Sequence, residues 1–319
     1  MDGMKNLILI LLLMMIGPRI VAQEDWGVIN VSVCNTRSEA DYNAGMESQA
    51  LLGMPVKLLG TQDEWTRIQT PEGYEHWTLS SVVCPMPREE VSAWNRSRQA
   101  VVTALYALVY EQPSLHTQTV SDVVAGDRLR LLGTKGKFLH VEYPDGRQGY
   151  IRKADAKPLD EWRASLDMSA EAILRTAHRL MGVPYMWGGT SPKGVDCSGF
   201  VRTTLLMHDI IIPRNASQQA RCGERLETND LSLLQPGDLL FFGIKAKDGR
   251  PARVLHVAFY LGNKRFIHSL GCVRIGSFDP QDPLYDAYDH NRLLHAARVL
   301  PYINKEDGLF TTDQSEFYR

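Results

Sequence analysis

The sequence predicts two small β-barrels followed by an α+β domain. Three observations carry that prediction. Residues 26–84 hold short β-rich runs broken by turn residues, and a second stretch, about 99–157, repeats the texture and its closing motif. From Ser169 onward, helical segments come before strands, which is an α+β order. A chain of 319 residues has room for all three units.

Taken from the N-terminus, Lys5 precedes an apolar run from Leu7 to Ile16, and a small-residue cleavage point follows Ala22. The run is too short to span a bilayer comfortably, so residues 1–22 read as a secretory signal peptide. No cysteine stands at the processing point, so no stable membrane anchor is expected. The mature chain is expected in the periplasm or outside the cell. Cleavage would leave 33 basic against 36 acidic residues, a formal charge of −3. Nucleic acid is therefore not the expected partner.

In the first barrel, Gly27–Val33, Pro55–Leu59 and Trp65–Gln69 are β-rich, and Glu72-Gly-Tyr-Glu-His-Trp77 closes the set. Pro85-Met-Pro87 reads as the linker to the second. There Gly126–Leu132 and Phe138–Tyr143 lead to Asp145-Gly-Arg-Gln-Gly-Tyr-Ile151, which echoes the earlier closing motif. Pro158 to Asp167 leads into the α+β domain, whose first helix, Ser169 to Gly182, has a capping serine and a terminal glycine. Strands are predicted at Asp238–Phe242, Val254–Leu261, Arg265–Leu270 and Leu293–Val299. Residues 304–319 are polar and read as a loosely held tail.

Five cysteines are present. An exported chain permits disulfides, and an odd count leaves at least one thiol unpaired. Cys34 and Cys84 lie near the two ends of the first barrel, whose first and last strands are candidate neighbours, so a bridge between them is one reading. Cys222 and Cys272 read as buried apolar cysteines. Cys197 is different. A Gly- and Pro-punctuated loop ends in Asp196-Cys197-Ser198-Gly199, and an apolar helical run from Phe200 to Met207 follows at once. That sets Cys197 in the first turn of a helix, where the dipole favours thiolate over thiol. Downstream, a hairpin centred on Gly262-Asn263-Lys264 would put His256 and His268 opposite each other on one face. One ring could take the thiol proton and the other could orient it. The same three residues could bind zinc, but structural zinc sites use closely spaced ligand pairs and none occurs here.

Four motifs in this order resemble the NlpC-type cell-wall cysteine peptidases, compact relatives of papain. They are Tyr185–Gly199, Pro213-Arg214-Asn-Ala-Ser217-Gln-Gln219, Pro236-Gly237-Asp238-Leu-Leu-Phe-Phe242, and His256 with its apolar flanks. The resemblance covers about Ser169 to Pro301. The N-terminal units resemble bacterial SH3-like domains, including Ser48-Gln-Ala-Leu-Leu-Gly53. The expected fold is thus a papain-like NlpC-type domain, 169–303, after SH3-like barrels at 26–84 and 99–157.

The resemblance implies roles for individual residues. Cys197 would be the nucleophile, His256 the general base and His268 the orienting residue. Tyr185 would stand near the oxyanion site, with the Cys197 N–H as a second donor. Trp187 would wall the cleft. Asp196 and Ser198 would contact the substrate peptide, although both also suit plain helix capping. Arg214 would pair with an internal carboxylate or take one from the substrate. Ser217 is a weaker binding candidate, since Ala216 could hold its place.

Two SH3-like barrels ahead of such a domain resemble the γ-D-glutamyl-L-diamino acid endopeptidases (dipeptidyl-peptidase VI-like) that cut freed wall peptides. The implied partner is a peptidoglycan peptide, L-Ala-γ-D-Glu-diamino acid, with a free L-alanine. Glu47 and Tyr74 on the first barrel would close the pocket for its ammonium, with Asp196 completing it. The alternative is a wall-remodelling endopeptidase that uses the barrels as anchors. Neither reading requires a metal or organic cofactor.

Overall fold

The computed structural model describes residues 25–306 and 308–319; the leader assigned to residues 1–22 lies outside them. Two N-terminal units precede a mixed helix–strand domain. The first unit has strands β1 Trp26–Ile29, β2 Val33–Arg37, β3 Met46–Leu51, β4 Pro55–Gln62, β5 Trp65–Gln69, β6 Glu75–Leu79 and β7 Val83–Met86. They form one antiparallel sheet in the order β3-β2-β6-β5-β4-β1-β7. The second unit has β8 Gln99–Val102, β9 Tyr106–Tyr110, β10 Thr119–Val124, β11 Arg128–Lys135, β12 Phe138–Glu142, β13 Gln148–Arg152 and β14 Ala156–Pro158. Its order, β10-β9-β13-β12-β11-β8-β14, is the first order with every strand advanced by seven.

The duplication goes deeper than the shared closing motif. Both copies carry a register shift one residue before a glycine, at Leu58/Gly60 and at Leu131/Gly133. Each copy also ends in a proline that starts a helix, a position where the missing N–H costs nothing. Pro87 precedes α1, Arg88–Arg96, which buries Val91 and Trp94 against Val28 and Met86. Pro158 precedes α2, Leu159–Ala164, which buries Leu159 and Trp162 against Val101. The expected linker Pro85–Pro87 is thus the end of β7 and the entry to α1. The expected run Gly27–Val33 is likewise two strands, parted at Asn30, whose N–H bonds the Val82 carbonyl at 2.9 Å.

The first and last strands of the first unit are neighbours as anticipated, with Val28 opposite Cys84. Cys34, however, lies on β2. Its free thiol is buried and meets the Thr78 hydroxyl at 2.9 Å, and burial pushes it up to about 12. The Cys34–Cys84 bridge is therefore not made. Cys222 is buried as expected, whereas Cys272 is half-buried.

The third domain starts with α3, Ala170–Arg179, where the Ser169 hydroxyl accepts from the Ala172 N–H at 3.2 Å. A short hairpin, β15 Thr190–Ser191 and β16 Gly194–Val195, leads to α4, Cys197–Leu206. Next come β17 Ile210–Ile211, α5 Ala216–Gln219 and β18 Glu224–Leu226. The main strands are β19 Leu239–Ile244, β20 Arg253–Gly262, β21 Arg265–Leu270 and β22 Cys272–Ser277. Helix α6, Ala287–Arg292, β23 Leu293–Arg298 and β24 Phe310–Thr311 complete the chain. The six-stranded antiparallel sheet has the order β18-β23-β19-β20-β21-β22.

Both faces of this sheet are covered. Phe241, Val257, Phe259 and Ile267 join Phe200, Val201 and Leu205 of α4 in one core. Leu240, Phe242, Ala258, Tyr260 and Phe266 join a second. A strand buried on two faces has no reason to alternate, which is why β19 opens on Leu-Leu-Phe-Phe.

The tail is a correction. Residues 304–319 are not loosely held: β24 pairs with β17, Thr312 is fully buried, and Phe317 packs edge-on against Trp26. Asp209 anchors the segment, taking Arg128 and Arg163 at 2.8 Å each and the Thr312 hydroxyl at 2.6 Å. One of its polar side chains, Thr312, is buried against the Asp209 ion pairs, and Glu316 pairs with Lys57 at the surface.

Candidate active site

The site is built on the N-terminus of α4. Asp196 caps that helix, accepting from the Gly199 N–H at 2.7 Å, and its other oxygen accepts from the Gly188 N–H at 3.1 Å. Arg214 grips both oxygens, with the shorter contact at 2.5 Å. Both side chains are almost wholly buried. Two glycines are fixed by close approach. A Cβ at Gly199 would lie 1.9 Å from the Gly189 carbonyl oxygen, and one at Gly188, with φ +77°, would lie 2.9 Å from the Met46 carbonyl oxygen. Helix, loop and first SH3-like unit therefore meet with no space for side chains at these points.

Cys197 occupies the first helical position, 8 % exposed. The helix terminus and the Val257 and Ser198 N–H groups favour its thiolate. Burial, then the Asp196 carboxylate, outweigh them and push the thiol up to about 11. The expected ground-state thiolate is thus overruled by desolvation. Val257, whose N–H reaches the sulfur, follows His256 directly on β20.

The two expected histidines meet. His256 Nε2 lies 2.9 Å from His268 Nδ1, with the rings at 78°. They are not directly opposite. Phe259 pairs with Ile267, so His268 falls level with Ala258, and the histidines meet diagonally on one face. Burial, then His268, hold His256 down to about 3, so it is neutral and able to accept a proton near pH 7.

Behind the pair stands a residue that sequence reasoning missed. Asp289, in α6, places an oxygen 3.3 Å from His268 Nδ1, and Arg292 binds its other oxygen. Burial alone would raise this carboxyl, but the neighbouring His268 and Arg292 bring it down to about 2. The signal in the sequence was only an Asp-x-x-Arg spacing on a short helix. His256, His268 and Asp289 could be considered as metal ligands, since their donor atoms lie within 4.8 Å of one another. The 2.9 Å His–His contact is a hydrogen bond, whereas two nitrogens on tetrahedral zinc sit about 3.3 Å apart. Arg292 also already occupies Asp289 as its cation. The set fits a proton relay better than a metal.

A cleft of about 240 Å³ opens over Cys197. It is lined by Glu47, Tyr185, Trp187, Asp196, Ser198 and Ser217 among others, so six of the expected binding residues are brought together. Tyr74 stands behind Glu47, donating to its carboxylate at 2.8 Å. Trp187 is 71 % exposed at the rim, whereas Tyr185 is half-buried. Burial, then Cys197 and Asp196, push the Tyr185 phenol up to about 12, so it remains a donor.

Asp196 and Ser198 are heavily committed within the protein. Ser198 donates to Asp196 at 3.2 Å and accepts from Arg214 at 3.0 Å. Of the two partners weighed for Arg214, the internal carboxylate is the one it holds. Sequence reasoning also missed Ser48 and Gln49 on β3. Ser48 accepts from Arg214 at 3.1 Å, and Gln49 accepts from the Thr190 N–H at 2.9 Å.

Comparison with known proteins agrees with this architecture. Residues 182–298 match the NlpC/P60 family, and residues 36–81 match the bacterial dipeptidyl-peptidase Sh3 domain. The gamma-D-glutamyl-L-lysine dipeptidyl-peptidase of Bacillus cereus is 33 % identical over 235 residues, covering 70 % of this chain and 67 % of that protein. Dipeptidyl-peptidase 6 of Lysinibacillus sphaericus is 29 % identical over 269 residues, 81 % of this chain and 93 % of its own. A crystal structure of an NlpC/P60 family protein from Bacillus cereus superposes with a TM-score of 0.72 at 25 % identity, covering 86 % of this chain and all of that one.

Two predictions follow from the electrostatics. The thiol lies near 11, so iodoacetamide labelling of Cys197 should keep accelerating as pH rises through 8 and 9. A rate already level below pH 8 would show that the thiolate forms in the free protein. Asp289→Asn keeps the shape but removes the charge behind His268. It should lower kcat about ten-fold or more with KM little changed, since it acts through the base. Unchanged kcat in a folded variant would remove Asp289 from the relay.

Proposed function

The chain belongs to the NlpC/P60 family of cysteine peptidases, and from that premise we propose that it hydrolyses the γ-D-glutamyl–L-diamino acid bond of peptidoglycan-derived peptides with a free N-terminal L-alanine. In this reading His256 takes the proton of Cys197 as the sulfur attacks the γ-carbonyl. The Cys197 N–H and the nearby Tyr185 hydroxyl hold the oxyanion. His256 then gives its proton to the departing amine as the C–N bond breaks, and water hydrolyses the thioester. His268, backed by Asp289, keeps the His256 ring in place.

The observation that carries the free-amine requirement is the position of Glu47. It comes from the first SH3-like unit yet lines the same cleft as Cys197, with Tyr74 bonded behind it. An ammonium entering a partly buried pocket needs a carboxylate there. Asp196 is already held by Arg214, so Glu47 is the better candidate for that contact. A wall-anchoring role for the same unit would leave no reason for its carboxylate to face the nucleophile.

We also propose export, on the leader-like residues 1–22; the intact mass of protein recovered after secretion tests whether they are removed. Among the described residues no helix is long and apolar enough to cross a membrane.

The deciding experiment is mass-spectrometric cleavage of L-Ala-γ-D-Glu-meso-diaminopimelate beside its N-acetylated form, with Cys197→Ala as control. Release of L-Ala-D-Glu from the free peptide alone, and only with Cys197 present, is expected. Glu47→Gln should erode that preference for the free amine. Equal cleavage of both peptides would favour wall remodelling, and no cleavage of either would sink the substrate assignment.

A further inference from the structure

Beside the cleft that holds Cys197 lies a second cavity, of about 830 Å³. Ser217 and Val254 line both, so the two cavities adjoin. The character of the wall changes from one to the other. The cleft takes Glu47 from the SH3-like unit, whereas the larger cavity is walled by the peptidase domain alone. Arg221, Arg225 and Lys245 line it, and no carboxylate does so among the described residues. Glu227 pairs with Arg225 at 3.3 Å, and both are well exposed. Arg221 and Lys245 make no ion pair among the described residues.

We propose that this cavity receives the leaving half of the substrate, and that its cations select a diamino acid with a second carboxylate, of diaminopimelate type, over one ending in an ammonium alone, of lysine type. The inference rests on the peptidase reading above and adds its leaving-side specificity.

Direction comes from the chain. Glu47 marks the end that holds the free amine. Val254 and Leu255 lead into His256, which protonates the departing amine, so the space beyond Val254 is where that amine's residue must lie. Charge supplies the selection. The distal end of lysine carries one positive charge, whereas that of diaminopimelate carries one of each sign. A cationic wall repels the first and attracts the carboxylate of the second. An exposed charge contact changes affinity about 1.5- to 5-fold, so two together give about ten-fold.

The test compares kcat/KM for L-Ala-γ-D-Glu-meso-diaminopimelate and L-Ala-γ-D-Glu-L-lysine at low and high salt. About ten-fold preference for the diaminopimelate peptide is expected, narrowing as salt screens the wall. Arg221→Gln with Lys245→Gln should bring the ratio towards one. Equal rates in the wild type, or a preference that survives the double substitution, would overturn the proposal. Calorimetric binding of both peptides to Cys197→Ala separates its failure from that of the peptidase reading. If neither peptide is cleaved, tighter binding of the diaminopimelate peptide keeps the cavity assignment, while equal or absent binding removes it.

Discussion

The buried pair between Asp196 and Arg214 is the constraint on which the site depends. Neither ion could be left alone at that depth, because an unpaired buried charge costs several kcal/mol. Pairing them settles several positions at once. Asp196 caps α4 and so places Cys197 in its first turn, and it holds the Gly188 amide and thus the loop that carries Tyr185 and Trp187. Arg214 extends the chain of contacts to Ser48 on β3. A second pair repeats the connection, since Arg202 of α4 meets Glu72 of the first SH3-like unit at 2.7 Å with both side chains buried. The nucleophile helix is thereby fastened to the unit that closes the cleft.

That arrangement has a chemical consequence. The carboxylate that caps the helix also sits beside the sulfur, and with burial it opposes the thiolate that the helix terminus would favour. A helix dipole contributes about half a charge at its end, while desolvation of a thiolate is larger. The resting site is therefore a neutral thiol near a neutral imidazole. In the proposed mechanism, proton transfer belongs to the attack itself, when charge moves to the carbonyl oxygen and the donors there begin to act. Asp289 fits this scheme because its carboxylate lies 3.3 Å from the same His268 Nδ1 that meets His256, where it favours positive charge on the pair.

Much of this was legible in the sequence because it is local. The Ser169 cap, the helix at Cys197 and the strands carrying His256 and His268 each rest on a few neighbouring residues. The duplication was visible mainly through the closing motifs, where Glu72-Gly73 matches Asp145-Gly146, since inward strand positions tolerate many apolar types while topology stays the same. What stayed hidden was non-local. Asp289 lies more than twenty residues beyond His268, and nothing near it in sequence marks its partner. The C-terminal segment misled through its polarity. Its Thr312 is satisfied by Asp209, and that pairing exists only once the chain has folded back.

The folded-back tail and the tandem SH3-like units together hold the first unit against the peptidase domain. The free-amine selection proposed above requires that the unit bearing Glu47 not swing away. The first unit is held by the buried charges at α4, and by Leu52 and Gly53 packed on the second unit, where the Arg128 N–H bonds the Leu52 carbonyl at 2.9 Å. The same Arg128 reaches across to Asp209 of the peptidase domain and to Thr312 of the C-terminal segment. Phe317, a few residues on, packs against Trp26 at the start of the first unit. The four parts thus form a closed ring of contacts in which each is gripped from two sides. Among the described residues the second unit contributes none to the cleft lining, and its contacts with the first unit restrict how far that unit can move from the peptidase domain.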